Sequence, residues 1–80
     1  MKGYIFYDDI QIKSGKHTVC LSYGSVLDRD EIYYGMKVNL LKPWTEKEER
    51  FNTLTEASQK YHELIEYFKS GRETVEEYFK

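Results

Sequence analysis

Apolar and polar residues alternate strictly along residues 31–40, and this is the clearest pattern in the chain. One set of alternate positions is apolar and comprises Ile32, Tyr34, Met36, Val38 and Leu40. Because successive side chains of a strand point to opposite faces, the pattern predicts a β-strand with one buried face. Pro43 ends this strand, since proline cannot donate to the hydrogen-bond ladder inside a sheet.

Two earlier segments, residues 3–12 and 17–23, are rich in β-branched and aromatic residues and flank a turn at residues 13–16. They predict a β-hairpin in which, whether its loop has two residues or four, Ile12 lies opposite His17 and Phe6 opposite Tyr23. Cross-strand partners share a face, so one side of the hairpin is predicted to be apolar. Its members are Tyr4, Phe6, Ile10, Ile12, Val19, Leu21 and Tyr23. Asp8 interrupts this side, and a β-bulge at Asp8–Asp9 would relieve the interruption.

The connection between the second and third strands, residues 24–30, is too short for the crossover that parallel strands require. The sheet is therefore predicted to be an antiparallel meander. Residues 45–51 allow two interpretations. Thr45 and Glu48 match a capping box at the start of a helical turn, whereas Lys47 to Phe51 fit a short fourth strand at the sheet edge.

Residues 53–68 predict an amphipathic helix. Thr53 and Glu56 form a second capping box, after which helical spacing places several apolar side chains on one face. These are Leu54, Ala57, Tyr61, Leu64, Ile65 and Phe68. Ser70–Gly71 is the predicted stop, because glycine adopts the left-handed conformation beyond helix ends. A short second helix from Arg72 is predicted to carry the apolar residues Val75, Tyr78 and Phe79.

These elements predict one α+β domain over residues 1–80. It has a three-stranded antiparallel meander, with residues 45–51 as a candidate fourth strand, packed on one helix and followed by a short C-terminal helix. A chain of 80 residues has room for one small core, and eight Tyr, four Phe and one Trp supply it with large contact areas. The net charge of −2 gives no general attraction for nucleic acid or acidic membranes.

The sequence also bears on the location of the protein. The single cysteine, Cys20, cannot form an internal disulfide, and residues 1–4 lack the apolar run of a signal peptide. No apolar stretch approaches the roughly 20 residues needed to span a bilayer. We therefore expect a cytoplasmic protein without a membrane segment.

No group of residues in the sequence matches a catalytic, metal or nucleotide motif. His17 and His62 lie on different predicted elements and lack the spacing of metal ligands. His17 and Cys20 are three residues apart in a strand, so they point to opposite faces and Cys20 is expected to be a packed thiol. The acidic groups at residues 8–9 and 28–31 lack the ligand spacing of a calcium loop. We expect neither enzymatic activity nor a cofactor.

The sheet face opposite the helix carries residues that the core does not use. It is predicted to present Ile5, Tyr7, Thr18, Cys20, Ser22, Tyr33, Lys37 and Asn39. Tyrosine and tryptophan are frequent in the hot spots of protein interfaces. The predicted partner-binding residues are therefore Tyr7, Tyr33, Lys37 and Trp44, and a larger protein is the expected partner. The alternative for Trp44 is a cover over the open end of the core.

Two other kinds of partner suit the same sheet. Exposed tyrosines stack on nucleic-acid bases, which makes a nucleic-acid-binding module the main alternative. Asp9 and Glu31 share the predicted open face and no arginine is expected there, which disfavours phosphate binding. The third alternative is a homodimer formed through an unpaired strand edge.

Residues 51–57, Phe-Asn-Thr-Leu-Thr-Glu-Ala, resemble the strand-to-helix junction F-x-T-L-x-E-A of HicB-like antitoxins and of many small phage and mobile-element proteins. The glycine-rich third strand and the DNA-binding tail of HicB-like domains are not seen here, so toxin binding does not carry over to particular residues. In size and composition the chain also resembles anti-CRISPR proteins. The resemblance implies a small non-enzymatic phage or mobile-element protein that inhibits a host protein, such as a CRISPR–Cas effector.

Overall fold

The computed structural model describes residues 2–70 and 74–80, and the strands within it form one antiparallel sheet. The elements are β1 (Lys2–Ser14), β2 (His17–Asp28), β3 (Glu31–Leu40), β4 (Thr45–Phe51), helix α1 (Leu54–Ser70) and the short helix α2 (Thr74–Tyr78). Each strand pairs with the next, in the spatial order β1-β2-β3-β4. The predicted α+β meander is confirmed, and the fourth strand belongs to it.

The fourth strand is an edge strand of charged residues. It pairs antiparallel with β3, from Thr45 opposite Leu40 to Phe51 opposite Tyr34. Charged side chains on an edge discourage pairing with further chains, which suits its central sequence Glu-Lys-Glu-Glu-Arg. The alternative of a helical turn after Thr45 is wrong. Pairing with β3 gives backbone hydrogen bonds along the length of the segment, whereas a single helical turn fixes several residues for one bond.

Both hairpins have two-residue turns, and the second is shorter than the sequence predicted. Gly15 and Lys16 join β1 to β2, and the positive φ of Gly15, 63°, suits a two-residue hairpin turn. Arg29 and Asp30 join β2 to β3, with Arg29 at a φ of 60°. Residues 24–28, predicted to be part of a connection, therefore extend β2.

The register of the first hairpin differs from the prediction by two residues. Ile12 lies opposite Val19 instead of His17, and Asp8 lies opposite Tyr23. Because side chains alternate with a period of two, this shift keeps Ile12 on its predicted face. The error comes from the position of the turn. The predicted register holds for a loop of two or four residues centred on Ser14 and Gly15, whereas the observed turn is Gly15 and Lys16, one residue further along the chain.

A β-bulge at Tyr7 divides β1 into two parts. The register shifts between Phe6 and Asp8, before the predicted position at residues 8–9. One added residue in a strand reverses the faces of all residues on one side of it. Tyr4 and Phe6 therefore lie on the sheet face opposite Ile10, and their predicted place in the main core is wrong.

Gly24 makes the close approach of β1 at this bulge possible. A Cβ atom at this position would lie 2.0 Å from the carbonyl oxygen of Ile5. Backbone atoms cannot yield as a flexible side chain can, so every other residue type would push the two strands apart. The glycine that looked like the start of a loop is instead required inside the strand.

Helix α1 covers only part of one sheet face, which we call the inner face; the opposite side is the outer face. The main core lies under the helix and contains Ile12, Val19, Leu21, Met36, Val38, Leu40, Tyr61, Leu64, Phe68 and Val75. The helix begins as predicted: the amide of Glu56 donates to Thr53 Oγ1 at 3.2 Å, and the Thr53 hydroxyl donates to Glu56 Oε1 at 2.9 Å. Gly71, the predicted stop, lies outside the described residues.

Helix α2 is held against the covered end of the sheet. Val75 is buried in the core, and Lys47 of β4 donates to the carbonyl oxygen of Tyr78 at 2.7 Å. His17 Nε2 lies 2.8 Å from Glu76 Oε1, and this contact helps to hold the pKa of Glu76 below its usual value, after a hydrogen bond from the backbone of Glu76 itself. The predicted short C-terminal helix is confirmed for these residues; Arg72, its predicted start, lies outside the described chain.

Candidate functional site

Residues 2–6, 24–28 and 31–35 form the part of the sheet that extends beyond α1, and we call this part the overhang. The remaining part of β1–β3 is the covered half. The four predicted partner-binding residues do not come together. Tyr7 and Tyr33 lie at or in the overhang, Lys37 lies on the covered half, and Trp44 lies in the turn between β3 and β4.

Tyr7 lies on the inner face, not on the outer face as predicted. Its hydroxyl accepts a hydrogen bond from Ser25 Oγ at 3.1 Å, and its ring meets Tyr23 edge to face at a centroid distance of 6.2 Å. Tyr23 in turn packs on Tyr61 of α1, with ring centroids 4.7 Å apart. The bulge is the reason for the change of face, and it moves Ile5 to the inner face as well.

Tyr33 lies on the outer face as predicted, but it is only 7% exposed. The guanidinium of Arg50 lies 3.7 Å from the centre of its ring, and its hydroxyl donates to Glu48 Oε1 at 3.2 Å. Arg50 and Glu48 belong to β4, the segment whose structure the sequence left open. The expectation that no arginine lies on this face is therefore wrong.

Lys37 is also engaged within the chain. Its Nζ lies 3.8 Å from the centre of the Tyr4 ring and 4.0 Å from Glu46 Oε1. Tyr4 stacks on Phe6 at 5.6 Å, with the ring planes 5° apart, and its hydroxyl donates to Glu48 Oε2 at 3.0 Å. These contacts join the two tyrosines, the two cations and Glu48 into one outer network, made of Tyr4, Phe6, Tyr33, Lys37, Glu48 and Arg50.

The outer network closes a second, smaller core on the outer face of the overhang. Val26 is buried there, opposite Tyr4 on one side and Tyr33 on the other. The faces of the Tyr4 and Tyr33 rings are occupied by the chain's own cations, at cation–π distances. A nucleic-acid base would have to displace Lys37 or Arg50 to stack on them.

Trp44 is 63% exposed, so the alternative prediction that it covers the open end of the core is wrong. It lies in the turn at residues 41–44, where the amide of Leu41 donates to the carbonyl oxygen of Thr18 at 3.3 Å. This contact places the turn beside the β1–β2 hairpin end, at the opposite end of the sheet from the overhang. Leu41 is also exposed there.

Most of the exposed large apolar side chains among the described residues lie on the inner face of the overhang, where α1 does not reach. We call the surface that they form the shelf and define it by Ile5, Tyr7, Leu27 and Ile32. Ile5 is 66% exposed, Leu27 52% and Ile32 67%. Leu27 and Ile32 are direct cross-strand partners, and Ile5 lies in the next row, opposite Ser25. The four side chains thus form a continuous patch across three strands.

No charged residue belongs to the shelf, although 32% of the chain is charged. The half-buried neighbours that complete its rows, Ser25 and Tyr34, are uncharged as well. Asp28 and Glu31, which are paired next to the Leu27–Ile32 pair, point to the outer face by the alternation of their strands. At this end of the β2–β3 hairpin, the carboxylates of Asp28 and Glu31 and the apolar side chains of Leu27 and Ile32 therefore lie on opposite faces of the sheet.

Asp8 and Tyr61 mark the border between the shelf and α1. Tyr61 is buried, and its hydroxyl has no hydrogen-bond partner among the described residues. Burial, followed by the negative charge of Asp8, raises the pKa of Tyr61 to about 12. The buried side chain of Tyr61 is thus held as the neutral phenol.

Sequence reasoning missed Ile5, Leu27 and Ile32 as site residues. Leu27 was assigned to a connection, and Ile32 was expected under the helix. The signal that could have found the shelf is the pair of apolar residues on both sides of the charged turn at residues 28–31. That signal becomes readable only when Gly24 is placed inside the strand.

The outer face of the covered half holds an open trough of about 450 Å³, whose walls include Asp9, Gln11, Cys20, Lys37 and Asn39. Cys20 is a free, partly buried thiol. His17 contacts Glu76 and lies on the opposite face of β2 from Cys20, so it is not placed to act as the base that activates a cysteine nucleophile. In the part of the chain that the structure describes, no three His, Cys, Asp or Glu residues cluster as metal ligands, and no helix is long and apolar enough to cross a membrane.

Comparison of the chain with protein-family models, curated proteins and solved structures finds no match.

Proposed function

We propose that the chain is a non-enzymatic protein-binding domain and that the shelf is its contact surface. The observation that carries this proposal is the continuous, uncharged and solvent-exposed patch of Ile5, Tyr7, Leu27 and Ile32. Large apolar patches on a protein surface are costly in water and mark sites where another surface docks. The cores of protein interfaces are likewise poor in charged residues.

The strands that carry the shelf and the packing on their opposite side favour a preformed binding surface. Its residues stand on three hydrogen-bonded strands, and the opposite side of those strands is packed by Val26 and Tyr33. A surface built on strands loses little conformational freedom when it binds, which leaves more of the contact energy for affinity. Tyr7 adds a rigid aromatic ring and a hydroxyl at the edge of the shelf, and its predicted partner-binding role is retained in this proposal.

The identity of the partner is a finer part of the proposal. The junction at residues 51–57 and the small size support a phage or mobile-element inhibitor that docks on a larger host protein, such as a defence effector. Trp44, exposed at the far end of the sheet, would be a second anchor for a partner long enough to reach it. In this proposal, Tyr33 and Lys37 stabilise the fold and do not contact the partner.

The test is retention of proteins from a host-cell lysate on the immobilised chain, read by mass spectrometry. Ile32→Glu places a charge in the centre of the shelf and should remove retained partners, because the carboxylate would be buried without a counter-ion. Gln11→Glu is the matched control, since it adds the same charge to an exposed strand position on the outer face.

Two further variants separate the alternatives. Lys37→Gln should leave retention unchanged if the outer network is structural, and Trp44→Ala should weaken only a partner that spans both ends of the sheet. Circular dichroism would establish that each variant is folded. Equal retention by wild type and Ile32→Glu would refute the shelf as the contact surface.

A further inference from the structure

We infer that a second copy of this chain binds the shelf, so that the protein forms a two-fold symmetric dimer in which the two overhangs pack face to face. The inference rests on the proposed function, in that it takes the shelf to be a contact surface and names its occupant. It differs from the predicted dimer through a strand edge, because the contact is made by a sheet face.

The shape of the inner face supports this arrangement. The covered half carries α1, whereas the overhang carries nothing, so the inner face has a step at Asp8 and Tyr61. The height of that step is about one helix diameter, roughly 10 Å. Two packed sheets are also separated by roughly 10 Å. The overhang of a second copy would therefore fill the layer that α1 fills over the covered half.

The chemistry of the shelf fits a copy of itself. A two-fold contact brings the same patch together from both sides, so a patch with a net charge would face the same net charge on the second copy. The shelf has no charge, and Asp28 and Glu31 point away from it on the outer face. Two shelves can therefore meet without the repulsion that penalises like charges across an interface.

The strand edge offers a poorer contact. β1 is the free edge on this side of the sheet, but the bulge at Tyr7 interrupts its ladder, and Asp8 and Asp9 follow directly. Bulges and charged residues are the features by which edge strands avoid pairing. Edge pairing would also leave Leu27 and Ile32 in water, since they lie on the next two strands.

The available area determines the strength of the dimer. The exposed parts of the four shelf side chains amount to about 400 Å² per copy, or about 800 Å² in total. This is below the roughly 1,200–2,000 Å² of specific, stable interfaces and falls among weak, transient contacts. The dimer should therefore be weak and reversible, and its population should rise with protein concentration.

Sedimentation velocity over a concentration series, from low micromolar to near millimolar, tests the inference with the purified chain. The average mass of wild type should rise from 9.6 kDa toward twice that value. Ile32→Glu and, independently, Leu27→Glu should raise the dissociation constant at least tenfold, whereas Gln11→Glu should leave it unchanged. Amide NMR spectra recorded during dilution should shift at residues 3–7, 25–27 and 32–34, and not along the outward side of α1.

Each outcome separates the inference from the proposed function. A wild-type chain that stays monomeric throughout overturns the inference, and shelf-dependent retention of another protein would then leave the proposed function standing. Dimerisation of equal strength in wild type and Ile32→Glu also overturns the inference. A dimer lost in both shelf variants supports it, even where no other protein is retained.

Discussion

The covered half and the overhang are built from the same three strands, yet they bury opposite faces. In the covered half, α1 packs on the inner face and the outer face is an open trough. In the overhang, the outer face is closed by the network around Tyr33 and Val26, and the inner face is bare. One strand pattern can therefore serve two cores on opposite sides of a sheet.

The length of the helix explains why two cores are needed. α1 has 17 residues and is about 25 Å long, whereas the 13 residues of β1 extend over roughly 40 Å. A single helix of this length cannot cover the whole inner face. The outer network packs the outer face of the overhang. The shelf is the inner face of the overhang, which remains exposed.

The largest effect is expected from Gly24→Ala, which adds a side chain where the covered half joins the overhang. The added Cβ would lie 2.0 Å from the Ile5 carbonyl oxygen, so β1 must either separate from β2 or lose its bulge. We expect a loss of roughly 4 kcal/mol or more in the free energy of unfolding, measured by urea denaturation. Gly3→Ala is the control, because a Cβ there meets nothing within 4 Å. Equal stabilities of the two variants would contradict the role given to Gly24.

A smaller and more local effect is expected from Tyr33→Ala. It removes a buried ring from the outer network and should cost about 3 kcal/mol. Because the outer network packs the overhang, hydrogen exchange should accelerate most at residues 3–6 and 24–35, while α1 keeps its protection. Leu21→Ala, in the main core, should instead lower protection in α1 and the covered half. Uniform acceleration in both variants would show that the halves are stabilised together.

The smallest effect is a loss of stability at high pH, caused by ionisation of Tyr61 at the border between the shelf and α1. Its folded pKa is raised to about 12, chiefly by burial, and an unfolded tyrosine titrates near 10. The unfolded chain therefore loses this proton first, so the stabilisation is complete below about pH 10 and is lost between about pH 10 and 12. The loss is at most about 2.7 kcal/mol, since one pKa unit corresponds to about 1.36 kcal/mol.

Tyr61→Phe isolates this contribution. Burial also raises the pKa values of Tyr67 and Tyr78, helped by Glu77 and Glu49 respectively, and both tyrosines remain in the variant. The difference in unfolding free energy between wild type and variant should therefore change from pH 10 to 12 in favour of Tyr61→Phe. At neutral pH the variant should be as stable as wild type or slightly more so, because an unpaired buried hydroxyl is removed. A pH-independent difference would contradict the assignment.

Local patterns in the sequence were sufficient for the third strand, for the start of the helix at Thr53 and for most of the main core. The side chains of Met36, Val38 and Tyr61 are buried where the alternation and the helical spacing placed them. Each of these features depends on neighbours within a few residues, and so it can be read from the chain itself. The predicted face of Tyr7 and the predicted exposure of Tyr33 failed because they depend on contacts between distant strands.

The meander, the helix and the apolar side of the covered half follow from local residue patterns, because hydrophobic period and helix capping depend on neighbours a few residues apart. Tertiary structure decided where β1 bulges, since that depends on the absence of a side chain at Gly24, a residue 18 positions from Phe6. It also decided which aromatic rings are free, because Arg50 and Glu48 reach Tyr33 only when β4 pairs with β3. The shelf depends on the sequence and on the tertiary structure. The strand sequences supply its apolar residues, and α1 leaves them exposed because it ends before it reaches them.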